Sequence, residues 1–222
     1  MKRENDFNFA PLILTAEWRL FMITLIEILG TIAFAISGSL VGIRKRLDLF
    51  GVLIISIITS GGGGLLRDLF LNRRVPVFFT DYQYIVTIIL TTIVVCIIGM
   101  KVEIWRKYIY VFYWFDAIGL GVFSVLSAYS AMEAGFPKVG VIFLGCLSGI
   151  GGSMTRDIIV REIPVVLRRE IYAVASIIGI LALIFLDKYI EHNLLIYICV
   201  SLVVAIRMIS LKLGLHVPIV KR

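Results

Sequence analysis

Apolar positions fill seven long runs of this chain, separated by short polar connections and interrupted by charge at a few repeated depths. Crossing a bilayer takes about 20 such residues in a helix. The runs near Met22–Ile43, Leu49–Leu71, Tyr82–Met100, Tyr108–Met132, Val139–Val160, Ile171–Leu186 and Leu194–Leu211 are long and apolar enough. The pattern therefore predicts an all-α integral membrane protein of seven transmembrane helices with no soluble domain between them. Composition agrees: 60% of the 222 residues are hydrophobic and the mean hydropathy is +1.01, whereas soluble domains run about 45–50% apolar. The first run is too long for a signal-peptide core, and its tail mixes Lys2, Arg3 and Arg19 with Glu4, Asp6 and Glu17.

The runs repeat. Shifting the sequence by 89 positions lays Glu27 on Asp116, Gly30 on Gly119, Phe34 on Phe123, Gly51 on Gly140, Gly62-Gly63 on Gly151-Gly152, and Arg67-Asp68 on Arg156-Asp157. After a slip of one, Pro76-Val77 matches Pro164-Val165 and Tyr84 matches Tyr172. Acids, glycines, Arg-Asp and Pro aligned in one register mark an internal duplication. Each copy holds three spans, an odd number, so the second copy enters from the opposite side as an inverted repeat, an arrangement common in transporters. The expected division is an N-terminal tail 1–21, a first three-helix repeat 22–107, a second 108–190, and a seventh helix with its tail 191–222.

Two glycine motifs interrupt the second and fifth spans, Gly61-Gly62-Gly63-Gly64 and Gly151-Gly152. Each glycine weakens a helix by roughly 1 kcal/mol. Gly62 lies roughly 20 Å into its span at 1.5 Å per residue. A run of glycines there is expected to kink or unwind the helix and free carbonyls. With the hydroxyls of Thr59, Ser60, Ser148 and Ser153, these would be ligands for a weakly held cation. Small-residue packing is the plainer reading, and Gly38-x-x-x-Gly42 and Gly145-x-x-x-Gly149 have its spacing. For four consecutive glycines echoed in the repeat, the polar path is preferred.

Charge inside spans is costly and normally faces a cavity. Depth places Glu27, Arg67 and Asp68 in one layer near one face, and Asp116, Arg156 and Asp157 in a second layer near the other. An ion pair between Arg67 and Asp157 would have to span the bilayer and is not expected. Two acids and one Arg leave each layer about −1 at reference pKa values, a balance that mildly favours cations. The plainer alternative is a pair of ion-paired staples between helices. The two readings are compatible, since a bridge that opens is a gate. Arg207, one turn from the end of the last span, is expected to snorkel.

The net charge of +7 does not point to nucleic acid. With seven spans, twelve basic residues fall on the face that carries Arg44-Lys45-Arg46, Lys101, Arg106, Lys107, Arg161, Arg168-Arg169, Lys212, Lys221 and Arg222, and seven on the other. The positive-inside rule then puts the N-terminus outside and the C-terminus in the cytoplasm. Arg44-Lys45-Arg46 and Arg168-Arg169 read as topology determinants, with contact to anionic lipid headgroups the alternative. Cys96, Cys146 and Cys199 lie inside spans without pairing or metal-ligand spacing, and His192 and His216 stand alone. No nucleotide loop, metal cluster or nucleophile–base pair suggests an enzyme or a cofactor.

Gly30 to Gly38, Arg44-Lys45-Arg46-Leu47-Asp48-Leu49-Phe50-Gly51 and the Gly61–Asp68 motif resemble the prokaryotic trimeric intracellular cation (TRIC) channels, from about Glu27 through the seventh span. The resemblance implies a homotrimer in a bacterial inner membrane. Each subunit would hold its own pore for K⁺ and Na⁺, with the second and fifth helices kinked at Gly61–Gly64 and Gly151–Gly152. Animal members bind phosphoinositide through a basic motif in the second helix, and Gly63 to Asp68 here lacks its Lys-Glu pair. Related bacterial sequences are labelled glycine transporters. The alternative reading is thus a secondary transporter of a small zwitterion such as glycine, and a third is a non-conducting scaffold.

Overall fold

The structure, a computed structural model, describes residues 10–101, 105–168 and 171–214. Lys2, Arg3, Glu4, Asp6, Arg169, His216, Lys221 and Arg222, and the side chains of Glu17, Arg19, Lys101, Arg106, Lys107 and Arg168, lie outside the described set. The described residues form helices α1 (Ala10–Arg44), α2 (Leu49–Phe70), α3 (Val77–Thr80), α4 (Tyr82–Lys101), α5 (Trp105–Glu133), α6 (Lys138–Ile159), α7 (Val165–Arg168), α8 (Ile171–Leu186) and α9 (His192–Leu213).

Among the described residues, six helices are long and apolar enough to cross a membrane: Phe21–Arg44 in α1, α2, Tyr82–Gly99 in α4, Ile109–Glu133 in α5, α6 and α9. The remaining expected span, α8, has 16 residues, about 24 Å at 1.5 Å per residue, so it falls short of a full crossing by itself. Pro164 breaks the chain ahead of it, and α7 takes up four of the residues before it as a separate turn. The one-turn helices α3 and α7 are the elements that the apolar pattern does not predict.

The two repeats end their helices alike. After α1, Arg46 N–H reaches the Ile43 carbonyl and Leu47 N–H that of Gly42. After α5, Gly135 and Phe136 do the same to Met132 and Ala131. After α2 and α6, the corresponding bonds run from Asn72 to Leu69 and Arg73 to Asp68, and from Arg161 to Ile158 and Glu162 to Asp157. These are Schellman caps, with a left-handed residue satisfying carbonyls that the helix leaves orphaned. Arg46 (φ 56°), Gly135 (φ 77°), Asn72 (φ 53°) and Arg161 (φ 56°) occupy that position. Only one of the four is glycine, so the duplication preserved the turn rather than the residue type that suits it best.

The halves pack antiparallel. On α1 and α5, Gly30 faces Val122 while Phe34, four residues on, faces Gly119. Phe34 stacks on its own repeat mate Phe123, ring centroids 5.4 Å apart and nearly parallel at 12°. On α2 and α6, Thr59 meets Gly152 and Gly63 meets Ser148. Advancing along one helix retreats along the other, as an inverted repeat requires. α9 packs on α5 and α8 and completes the core with Leu195, Ile196, Cys199 and Val203.

The glycine crossing and two charge sites

Gly63 and Gly152 let α2 and α6 touch. A Cβ on Gly63 would strike the Ser148 carbonyl oxygen, and one on Gly152 would strike that of Thr59. Thr59 and Ser148 are themselves repeat mates, so the two contacts are one contact seen twice. A Cβ on Gly62 would lie 3.1 Å from Gly152 Cα. Ser148 Oγ closes the crossing by donating to the Gly63 carbonyl at 2.8 Å, and accepts from Ser127 Oγ at 2.6 Å. Both helices run without a break across the glycines. The expected unwinding with freed carbonyls is therefore absent, because the space that glycine releases is filled by the partner backbone. Gly61 lies against Phe78, Gly151 against Leu66, and Gly64 meets only Phe123 at 3.8 Å. Gly38 and Gly42 pack on Ser56 and Val52, and Gly145 on Ser124, as their spacing led us to expect.

The hydroxyls expected on a polar path are engaged locally. Thr59 Oγ1 and Ser60 Oγ donate to the carbonyls one turn back, Ile55 and Ser56, each at 2.6 Å. Ser153 Oγ donates to the Ile150 carbonyl at 2.9 Å and shares a 3.0 Å hydrogen bond with Tyr172.

Five residues past Gly62, Arg67 joins Glu27 of α1 to Asp68. Arg67 Nη1 donates to Glu27 Oε1 at 2.6 Å and Nε to Asp68 Oδ1 at 2.8 Å. Tyr84 of α4 gives its hydroxyl to Glu27 Oε2 at 3.0 Å, and Val77 N–H of α3 binds Asp68 Oδ2 at 2.9 Å. All four carboxylate oxygens are thus bonded. The Schellman turn and Pro76 bring the chain back so that α3 can present that N–H. Half-exposed Arg73 also bridges Asp68 at 3.3 Å, a second cation beside the expected Arg67. The first site is therefore formally neutral rather than −1.

The second site repeats the plan with one position changed. Arg156 Nη1 reaches Asp116 Oδ1 at 3.0 Å, Nε reaches Asp157 Oδ1 at 2.8 Å, and Val165 N–H reaches Asp157 Oδ2 at 3.0 Å. Ser37, from the other repeat, accepts from Arg156 Nη1 at 2.7 Å and donates to Asp116 Oδ1 at 3.1 Å. Tyr172 does not copy Tyr84: Asp116 is one methylene shorter than Glu27, and the Tyr172 hydroxyl goes to Ser153 instead. The mate of Arg73 is Glu162, so this site keeps a formal −1. Arg67 and Arg156 each lie about five residues from the crossing in opposite directions, which separates the sites by about 15 Å. Neither Arg pairs with the other site's acids, as expected.

Each site borders a cavity. One of about 20 Å³, room for a single water, is lined by Glu27, Thr31, Ser60, Gly61, Gly64, Arg67 and Tyr84 among others. One of about 200 Å³ is lined by Arg44, Phe112, Tyr113, Asp157, Glu162 and Val165 among others. The two share no lining residue. At the rim of the larger one, Glu162 pairs with Arg44 and, at 2.7 Å, with Lys45. This basic run therefore clamps the second repeat to the first. Partial burial favours the neutral Glu162 carboxyl, but Lys45 and Arg44 outweigh it and hold the group below its usual range. Arg207 does not snorkel. It is 2% exposed, and its guanidinium lies 4.7 Å from the Tyr172 ring centroid, since that aromatic face offers a partner inside the bundle.

Sequence reasoning did not single out Tyr84, Tyr172, Val77, Val165, Ser37 or Phe112 for these sites. The first four sit in matched positions of the duplication, which is a usable signal. Ser37 and Phe112 carry none, because neither has a like residue in the other repeat.

The family model described as Glycine transporter matches residues 24–100 and 113–188, one block in each repeat. A UPF0126 membrane protein of Deinococcus radiodurans is 37% identical over 156 residues, covering 69% of this chain and 71% of the relative. The UPF0126 inner membrane protein YadS of Escherichia coli K12 is 37% identical over 158 residues, covering 69% and 73%. Among solved structures, a prokaryotic TRIC channel crystallised in 0.5 M KCl superimposes with a TM-score of 0.84 at 31% identity, over 89% of this chain and all of that one. The TRIC trimeric intracellular cation channel orthologue from Rhodobacter sphaeroides gives 0.81 at 29% identity, over 87% and 98%.

Proposed function

Because this chain belongs to the glycine-transporter family of membrane proteins, to which the prokaryotic TRIC channels are akin, we propose that it is a monovalent cation channel conducting K⁺ and Na⁺. The pore runs within each subunit, along α2 and α6, past Glu27, Arg67 and Asp68 on one side of the glycine crossing and Asp116, Arg156 and Asp157 on the other. The halves that enclose it are residues 22–107 and 108–190. The observation that carries this reading is the pair of charge sites, each bordering its own cavity with the crossing between them. Such a path is closed, and it opens when α2 and α6 bend at Gly61–Gly64 and Gly151–Gly152 and the Arg bridges part. Thr59, Ser60, Ser148 and Ser153 supply oxygens along it. The neighbours are channels, which argues against an enzyme. We propose a homotrimer on the same ground as the Rhodobacter protein, in the bacterial inner membrane among lipids, with the N-terminus outside and the C-terminus in the cytoplasm.

Current through purified protein in a planar bilayer under a KCl gradient tests the proposal. Discrete openings that reverse near the K⁺ potential, and that change in Arg67→Ala and Arg156→Ala, are expected. The family description favours a second reading, a transporter of a small zwitterion. A silent bilayer with saturable uptake of labelled glycine into proteoliposomes would replace the channel with it.

A further inference from the structure

The two charge sites differ in one respect that the duplication does not explain. At the first, both oxygens of Glu27 and both of Asp68 accept hydrogen bonds. At the second, Asp116 Oδ2 and Arg156 Nη2 have no hydrogen-bond partner among the described residues, although Asp116 is 1% exposed and Arg156 0%. A buried acceptor and a buried donor left unmatched in one site have lost their hydration without a replacement, and the loss is greater where the groups are charged. A group that satisfies both must donate to the carboxylate and accept from the guanidinium. Water does so; a metal ion or an anion does only half.

Water has a short way in. Phe112 lines the 200 Å³ cavity, and the Arg156 guanidinium lies 5.1 Å from the centroid of the same ring. The cavity wall thus holds two neighbours of the incompletely bonded pair, the Phe112 ring and Asp157, which pairs with Arg156. The first site has no counterpart of this ring, because the repeat mate of Phe112 is Ile23, and its own cavity holds no more than a single water.

Building on the channel reading, we propose that the second site is a hydration site that takes water from this cavity past Phe112, and that it is the gate that parts first. The first site, closed by Tyr84, is the staple. An Arg–carboxylate bridge with an unmatched oxygen and nitrogen exchanges protein contacts for water at less cost than one in which every oxygen is taken. Asp116→Glu adds the methylene that lets a carboxylate reach as far as Glu27 does, and so converts the gate toward the staple.

Thiol labelling reads the water directly. Ser153→Cys sits one turn before Arg156, and its repeat mate Gly64→Cys has room for a side chain at the first site; both are made with Cys96, Cys146 and Cys199 changed to Ala. A small charged methanethiosulfonate is applied to each face of reconstituted vesicles. The Ser153→Cys thiol is expected to react, roughly tenfold faster with Phe112→Ala, whose loss removes one cation–π contact. It should react more slowly with Asp116→Glu and at an unchanged rate with Ile23→Ala. Gly64→Cys labelling should not respond to the second-site changes, which also shows that those variants remain folded. Equal Ser153→Cys rates in all backgrounds overturn the hydration site. In bilayers, Asp116→Glu should lower the open probability; an unchanged value in a conducting protein overturns the gate assignment. A non-conducting wild type overturns the channel reading instead, while labelling still decides the water.

Discussion

Ser148 Oγ donates to the Gly63 carbonyl at 2.8 Å, while the Ser148 carbonyl occupies the space where a Gly63 side chain would stand. One residue thus both fastens the α2–α6 crossing and forbids a Cβ within it. Gly63→Ala and Gly152→Ala each drive a methyl into a backbone oxygen, which a rotamer change cannot relieve. Overpacking of this kind costs about 1–3 kcal/mol. Both variants should lower the thermal midpoint in detergent, whereas Gly64→Ala, with its nearest neighbour at 3.8 Å, should hold or raise it, because Ala favours a helix over Gly by roughly 1 kcal/mol. A midpoint lowered equally at Gly63 and Gly64 would mean that the close approach of α6 does not set the cost.

Removing Arg156 leaves two carboxylates without a cation, whereas removing Arg67 leaves Glu27 without one and Asp68 with Arg73 alone. Arg67→Ala and Arg156→Ala should each destabilise by about 3–5 kcal/mol, read by thermal unfolding or by loss of folded protein on extraction. The sites are separate, so the exchange Glu27→Arg with Arg67→Glu should recover part of the loss. Recovery of Arg67→Glu by Asp157→Arg instead would overturn the two-site arrangement.

The tyrosines separate the sites further. Tyr84→Phe removes a hydrogen bond to a carboxylate and should cost about 1.5–3 kcal/mol. Tyr172→Phe removes a hydroxyl–hydroxyl bond and keeps the aromatic face under Arg207, so about 0.5–1.5 kcal/mol is expected. Chemical or thermal unfolding of the two variants side by side gives the ranking.

Glu162 gives the cavity rim a dependence on pH. Its carboxyl is held low in the folded protein by Lys45 and Arg44 against partial burial. Its contribution is present above the ordinary carboxylate pKa and is lost as pH falls through the folded value. The bridge is half-exposed, so at most about 1 kcal/mol is involved. Wild type should therefore lose a small increment of stability in that acid range, and Arg44→Ala with Lys45→Ala should remove the increment. A double variant with an unchanged acid profile would show that the clamp contributes nothing.

Helix positions were legible in the residues because a bilayer imposes length and apolarity together: α2, α6 and α8 fall within about a residue of the apolar runs. The inverted architecture was legible because Glu27, Gly62-Gly63 and Arg67-Asp68 recur in register. What the glycines do was not. A glycine run weakens a helix in isolation, and only the partner carbonyls of Thr59 and Ser148 show that the weakness is compensated by contact. The neutrality of the first site was hidden as well, since Arg73 joins through a turn and not along a helix face. Arg207 could be placed at a membrane end but not assigned an orientation, because Tyr172 comes from another helix.

The stack of Phe34 on Phe123 joins a residue to its own copy. A contact of this type is what a two-fold axis through a pair of identical chains produces, each presenting the same patch to the other. The axis here lies in the membrane plane, so a half-length ancestor would have met its twin upside down. Such a chain must insert both ways round in one bilayer in similar numbers. Fusion removed that requirement, and thereafter the Lys and Arg residues of the loops were free to fix a single orientation.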